Sequence, residues 1–97
     1  MKKDEVFFMY RGKPLVRKGN LCYYGYMYED VVAMLSVESS FYFKGLEISD
    51  RIELKLVLTD PDADLQDVIV KQSVRSGLFD ALDIAGIWID RFIKKRA

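Results

Sequence analysis

The chain has 97 residues, 15 of them basic and 15 acidic, so its formal net charge is zero, and 51% of it is hydrophobic. That length makes one domain, residues 1–97, with little room for a second. There is no histidine and one cysteine; with the commonest metal ligand and acid–base group missing, the composition argues against an enzyme, a cofactor site or a metal centre.

The first strand is predicted over residues 5–10, where Glu5-Val6-Phe7-Phe8-Met9-Tyr10 is rich in aromatic and apolar side chains. Lys2 and Lys3 precede it as in a secretory leader, but the apolar run is too short for one and Arg11 closes it. Arg11-Gly12-Lys13-Pro14 predicts a turn, residues 15–17 a returning strand, and Lys18-Gly19-Asn20 a second turn before a strand over 21–26. Strand alternation puts Val6, Phe8 and Tyr10 on one side of this ribbon and Phe7 and Met9 on the other. Leu21 and Tyr23 likewise oppose Cys22, Tyr24 and Tyr26. Both faces are therefore apolar or aromatic. Cys22 has no partner for a disulfide within the chain, which points to a reducing, cytoplasmic setting and to a thiol that packs as a small hydrophobe.

Residues 31–37 read as a strand whose odd positions, Val31, Ala33, Leu35 and Val37, are all apolar. Residues 39–48, Ser39-Ser40-Phe41-Tyr42-Phe43-Lys44-Gly45-Leu46-Glu47-Ile48, keep no period and are read as a short strand, a bulge and a connection. Residues 51–59 alternate cleanly, with Ile52, Leu54, Leu56 and Leu58 opposite Arg51, Glu53, Lys55 and Thr59. That pattern belongs to an antiparallel sheet with one wet and one buried face. Pro61 and its aspartates predict a loop, and the β-branched run over 68–74 a last strand.

The remainder is helical. Ser76 suits an N-cap, Asp80 and Asp83 come early, and Arg91, Lys94, Lys95 and Arg96 come late, as the helix dipole favours. Leu78, Ala81, Leu82, Ala85, Trp88, Ile89 and Phe92 form a stripe at helical spacing, which Phe79, Ile84, Ile87 and Ile93 widen. Gly86 in mid-helix costs about 1 kcal/mol relative to alanine, so a ring or backbone is expected to lie close to it. The fold class is α+β: a mainly antiparallel five- to six-stranded meander with one C-terminal amphipathic helix on one face.

The zero charge hides three blocks: +4 over residues 1–28, −7 over 29–67 and +3 over 68–97. No stretch approaches the ~20 apolar residues of a membrane span, so no membrane partner is expected. Asp60, Asp62 and Asp64 match the start of a calcium loop, but Leu65 stands where glycine is needed and Lys71 where a bidentate glutamate is needed. Gly12-Lys13 is too short for a phosphate-binding loop.

Two surfaces remain. One helix covers one face of a sheet, and a large uncovered apolar face on a globular protein marks a partner surface. The first reading is thus a non-enzymatic module that self-associates as a two-fold dimer, with Phe7, Met9, Tyr24, Tyr26 and Tyr28 at the interface and Ile87 or Ile93 as second choices. The alternative is a single-stranded nucleic-acid-binding ribbon that uses Arg11, Lys13, Arg17 and Lys18 with Tyr23 and its neighbouring tyrosines. A sequence pI near 6.2 counts against that alternative. A small-molecule site in a tyrosine-lined cleft between sheet and helix is the third reading.

Overall fold

The computed structural model describes residues 5–96. Six strands follow in chain order: β1 (Glu5–Tyr10), β2 (Lys13–Lys18), β3 (Leu21–Tyr24), β4 (Val31–Phe43), β5 (Leu46–Leu58) and β6 (Ile69–Arg75). One helix, α1 (Leu78–Arg96), comes after them. Each strand pairs antiparallel with the next, so spatial order repeats chain order and β1 and β6 are the edges. This is the α+β meander with a C-terminal helix that the sequence predicts.

The connections explain the topology. Arg11–Gly12 and Lys44–Gly45 are two-residue turns with positive φ at both positions, 49° and 83° in the first and 51° and 81° in the second. That conformation matches the right-handed twist of the flanking strands. The first turn is tighter than predicted, since Lys13 and Pro14 already belong to β2. β3 stops at Tyr24 rather than residue 26: Gly25 still donates to the Pro14 carbonyl (3.0 Å), but its φ of 120° turns the chain away.

Register stacks the apolar positions into rows on one face, called here the inner face. Leu15, Tyr24, Ala33 and Leu56 are successive neighbours across four strands, and so are Cys22, Leu35 and Leu54 across three. All seven are buried. α1 lies over this face and runs antiparallel to β6. Asp80 in its first turn meets Arg75 at the end of the strand (3.0 Å), and Lys71 near the start of the strand stands 5.1 Å from the ring centroid of Trp88. Ala81, Leu82, Ala85 and Ile89 are buried against the sheet, with Leu78, Ile84, Trp88, Phe92 and Ile93 packed around them. Fully burying a side chain such as Leu82 or Ile89 is worth roughly 1.5–3 kcal/mol of transfer free energy. The Ala81 N–H donates to the Gly77 carbonyl (3.0 Å), so the helix begins one residue later than a Ser76 cap implies.

The largest departure from the sequence reading is at residues 39–48. The strand and the bulge are present, but the connection shrinks to the Lys44–Gly45 turn, and the segment is the far half of a long hairpin in which β4 and β5 each run for 13 residues. Two register shifts, between Val37 and Ser39 and between Ser39 and Ser40, bend the ribbon where it leaves the body. Beyond them the pairs Phe41–Ile48, Tyr42–Glu47 and Phe43–Leu46 continue to the Lys44–Gly45 turn as a projecting arm. The molecule is accordingly 46 Å long against 29 and 26 Å across.

Candidate functional site

The two sides of the β1–β3 ribbon have opposite fates. Tyr24, expected at an interface, is 1% exposed. Its ring lies close to Gly86, and its hydroxyl donates to the Tyr10 carbonyl (2.7 Å). It stacks edge-on with Tyr10 at 6.0 Å between centroids. Tyr24 is therefore a core residue and offers no docking surface. Burial pushes its phenol above the ordinary value, with the Tyr10 phenol and the Asp83 and Asp90 carboxylates adding to the rise. Ile93 also packs against the core rather than standing free, because the helix rotates it toward the sheet.

Beside Tyr24, between the β1–β2 turn and α1, runs an open cleft of about 240 Å³ lined by Arg11, Lys13, Asp83, Ile87 and Asp90. Its charges are already matched. Arg11 meets Asp83 (3.0 Å), Lys13 meets Asp90 (2.9 Å), and the Tyr10 hydroxyl donates to Asp83 (2.8 Å). Ile87, 46% exposed, lines this cleft. It thus lies across the sheet from Phe7 and Met9 and does not join one surface with them.

The cations of the nucleic-acid alternative are not gathered either. Arg11 and Lys13 face helix carboxylates, and Arg17 donates to the Gly19 carbonyl (3.0 Å). Lys18 and Tyr23 alternate onto the outer face, away from the other three. A phosphate backbone would meet no continuous track of positive charge along these residues.

The outer face carries a row of direct cross-strand neighbours, Phe7, Val16, Tyr23 and Met34, which ends at Lys55. Met9 pairs with Pro14 one step along. Phe7 and Met9 are each about half exposed, at 51% and 55%. No element of the described chain lies over this row. The side chains of Val6 and Phe8, expected opposite Phe7, lie outside the described residues. Tyr26 and Tyr28 stand beyond the Arg11–Gly12 end of the ribbon, their rings 4.9 Å apart, and the Tyr26 hydroxyl donates to the Gly12 carbonyl (2.9 Å). Tyr28 is exposed and Tyr26 half-buried.

Sequence reasoning missed the arm. Its signal was the run Phe41-Tyr42-Phe43 closed by Lys44-Gly45, an aromatic strand ending in a turn dipeptide. Phe41, Tyr42, Phe43 and Leu46 are all exposed.

The remaining motifs have structural roles. Cys22 is sealed in the core, and burial raises its thiol above the ordinary value, partly offset by Arg17, which leaves little thiolate for chemistry at neutral pH. The Asp60 carboxylate accepts the Asp62 N–H (2.9 Å), which organises the β5–β6 loop. Among the described residues no three Cys, Asp or Glu side chains come together as a metal-binding group, and no helix is long and apolar enough to cross a membrane. No protein-family model matches the chain, no curated protein matches it in sequence, and no solved structure matches it in fold.

Proposed function

We propose that this protein is a self-associating interaction module, and that two copies pair about a two-fold axis through the outer face of the sheet at Phe7 and Met9. The observation behind this reading is the row Phe7, Val16, Tyr23 and Met34, left uncovered while α1 covers the opposite face. An apolar sheet face exposed to water carries an unfavourable hydration free energy that a second copy of the same face removes. In a two-fold pairing the row meets itself, and sheets packed in this way sit about 10 Å apart with their side chains interdigitated. Tyr26 and Tyr28 then form the rim at one end, with apolar rings inward and hydroxyls to water. A lone thiol sealed in the core supports a cytoplasmic setting for the module.

Solution mass by light scattering over a dilution series tests the reading. The native chain should associate, and Phe7→Asp combined with Met9→Asp should halve the mass while leaving far-UV circular dichroism unchanged, because both side chains are exposed. A native chain that is monomeric at every concentration, or a double variant with undiminished mass, overturns it.

A further inference from the structure

We infer that the β4–β5 arm is a second, separate interface at which two copies cross their arms, the tip of each seated at the base of the other. This goes beyond the outer-face pairing and uses none of its residues. The arm is preformed, since its backbone ladder runs unbroken from Ser40–Ser49 to Phe43–Leu46 and closes in a two-residue turn. An isolated two-stranded hairpin is marginal in water, and this one carries apolar side chains that its own chain does not bury. Cross-strand pairing sets Phe41 beside Ile48 and Phe43 beside Leu46, four apolar side chains on one side of the ribbon.

At the base of the arm, Ile48 borders a hollow of about 430 Å³ whose other walls include Leu78 and Phe79 at the start of α1. Phe79 is 65% exposed there. A cavity of ~150 Å³ already admits a benzene ring, so the hollow has room for the Phe43 ring together with Leu46. Each copy therefore presents both the projecting tip and the hollow that fits it. A two-fold crossing satisfies both contacts at once, which is the mark of an isologous interface. The rim of the hollow is polar, with Arg17 and with Asp80 already paired to Arg75 (3.0 Å), so the fit rests on its apolar floor and not on charge.

The area also fits a second copy. Phe41, Phe43, Leu46, Ile48 and Phe79 are 38–69% exposed, and with ~150–250 Å² per aromatic side chain they present on the order of 500 Å² of apolar surface. A standard interface takes ~800 Å² per partner, of which somewhat more than half is apolar. The patch thus supplies the apolar share of one stable interface, with Tyr42, Lys44 and Asp80 as its polar margin.

The test compares three variants with the native chain by light scattering across a dilution series, with circular dichroism as the check on folding. The first is Phe43→Ser with Leu46→Ser. The second replaces residues 40–49 by Asn-Gly, which removes the arm and leaves the body. The third is the outer-face double variant described above. Both arm variants should lose one doubling of mass, with the dissociation constant of that step raised roughly a hundredfold, while the outer-face variant keeps its arm-linked pair. Arm variants with native mass overturn the arm proposal, and if the outer-face variant then loses mass, the outer-face reading stands alone. Loss of mass in the arm variants only would uphold the arm and remove the outer-face reading. A native chain that is monomeric throughout removes both.

Discussion

β4 and β5 form one ribbon with two unlike ends. From Val31 to Val37, paired with Ile52 to Leu58, one side is sealed under α1 and burial alternates along the strands except at Val32, which is buried as well. From Ser39 to Phe43, paired with Leu46 to Arg51, the same two strands keep their pairing and lose their cover. Strand pairing and burial are thus separate achievements. A tight turn and β-favouring residues are enough to extend a ladder. A period-2 pattern arises only where one face has something to hide from water, and so the arm shows rings on consecutive residues where the body shows alternation.

The largest effect that sharpens this contrast is at Tyr24. Tyr24→Asp buries a carboxylate among apolar side chains and removes the hydrogen bond to the Tyr10 carbonyl. It should abolish the cooperative thermal transition, whereas Tyr26→Asp, near the surface, should fold. A native-like melt for Tyr24→Asp would mean that the body is not sealed there. Next come two truncations on the same strand, read by urea denaturation at concentrations where the chain is monomeric. Leu35→Ala at the covered end should cost about 2–5 kcal/mol. Phe43→Ala in the arm should stay within ~0.5 kcal/mol, as for a surface site. Equal losses would break the distinction between the two ends.

The covered end was legible in the sequence because its signals agree. Clean alternation over 51–59, the odd apolar positions of 31–37 and the wide helical stripe from Leu78 to Phe92 each follow one period, and together they give the sheet and the helix. Phe7 and Met9 were also placed correctly on the side opposite Tyr10, by alternation alone. What alternation does not decide is which face the helix takes, and that choice separates Tyr24 in the core from Tyr23 at the surface. The arm was illegible for the reason given above: with no covered face there is no period, and a pattern search sees only a run of aromatics. The pairing of Arg11 with Asp83 and of Lys13 with Asp90 joins residues 72 and 77 apart in sequence, and only the tertiary path of α1 beside the β1–β2 turn brings them together.

Alkali should act through the covered end. Burial raises both the Cys22 thiol and the Tyr24 phenol above their ordinary values of 9.0 and 10.0. For a group whose folded pKa is raised, the unfolded chain loses its proton first, so stability is full below the unfolded pKa and falls as pH climbs through the folded one. The urea midpoint should therefore be insensitive to these two groups at neutral pH and should decline above about pH 9, where the unfolded thiol begins to ionise. Cys22→Ala should make the first part of that decline shallower. A slope unchanged by the substitution would show that the thiol is not desolvated in the fold.

The smallest effect is a gain. Gly86 lies under the Tyr24 ring, yet a Cβ built there meets only the Tyr24 Cε2 and hydroxyl, at 3.8 and 3.9 Å. Those are ordinary contacts, so the ring approaches closely enough to touch an alanine without requiring a glycine. Glycine in a helix interior is about 1 kcal/mol worse than alanine because it releases more backbone freedom on unfolding. Gly86→Ala should raise stability by roughly 0.5–1 kcal/mol, seen as a higher urea midpoint at unchanged slope. Destabilisation would mean that Tyr24 presses closer to the helix than 3.8 Å in solution. The covered end would then be held by closer ring-to-backbone packing than the apolar rows of the sheet provide, and the contrast with the arm would be sharper still.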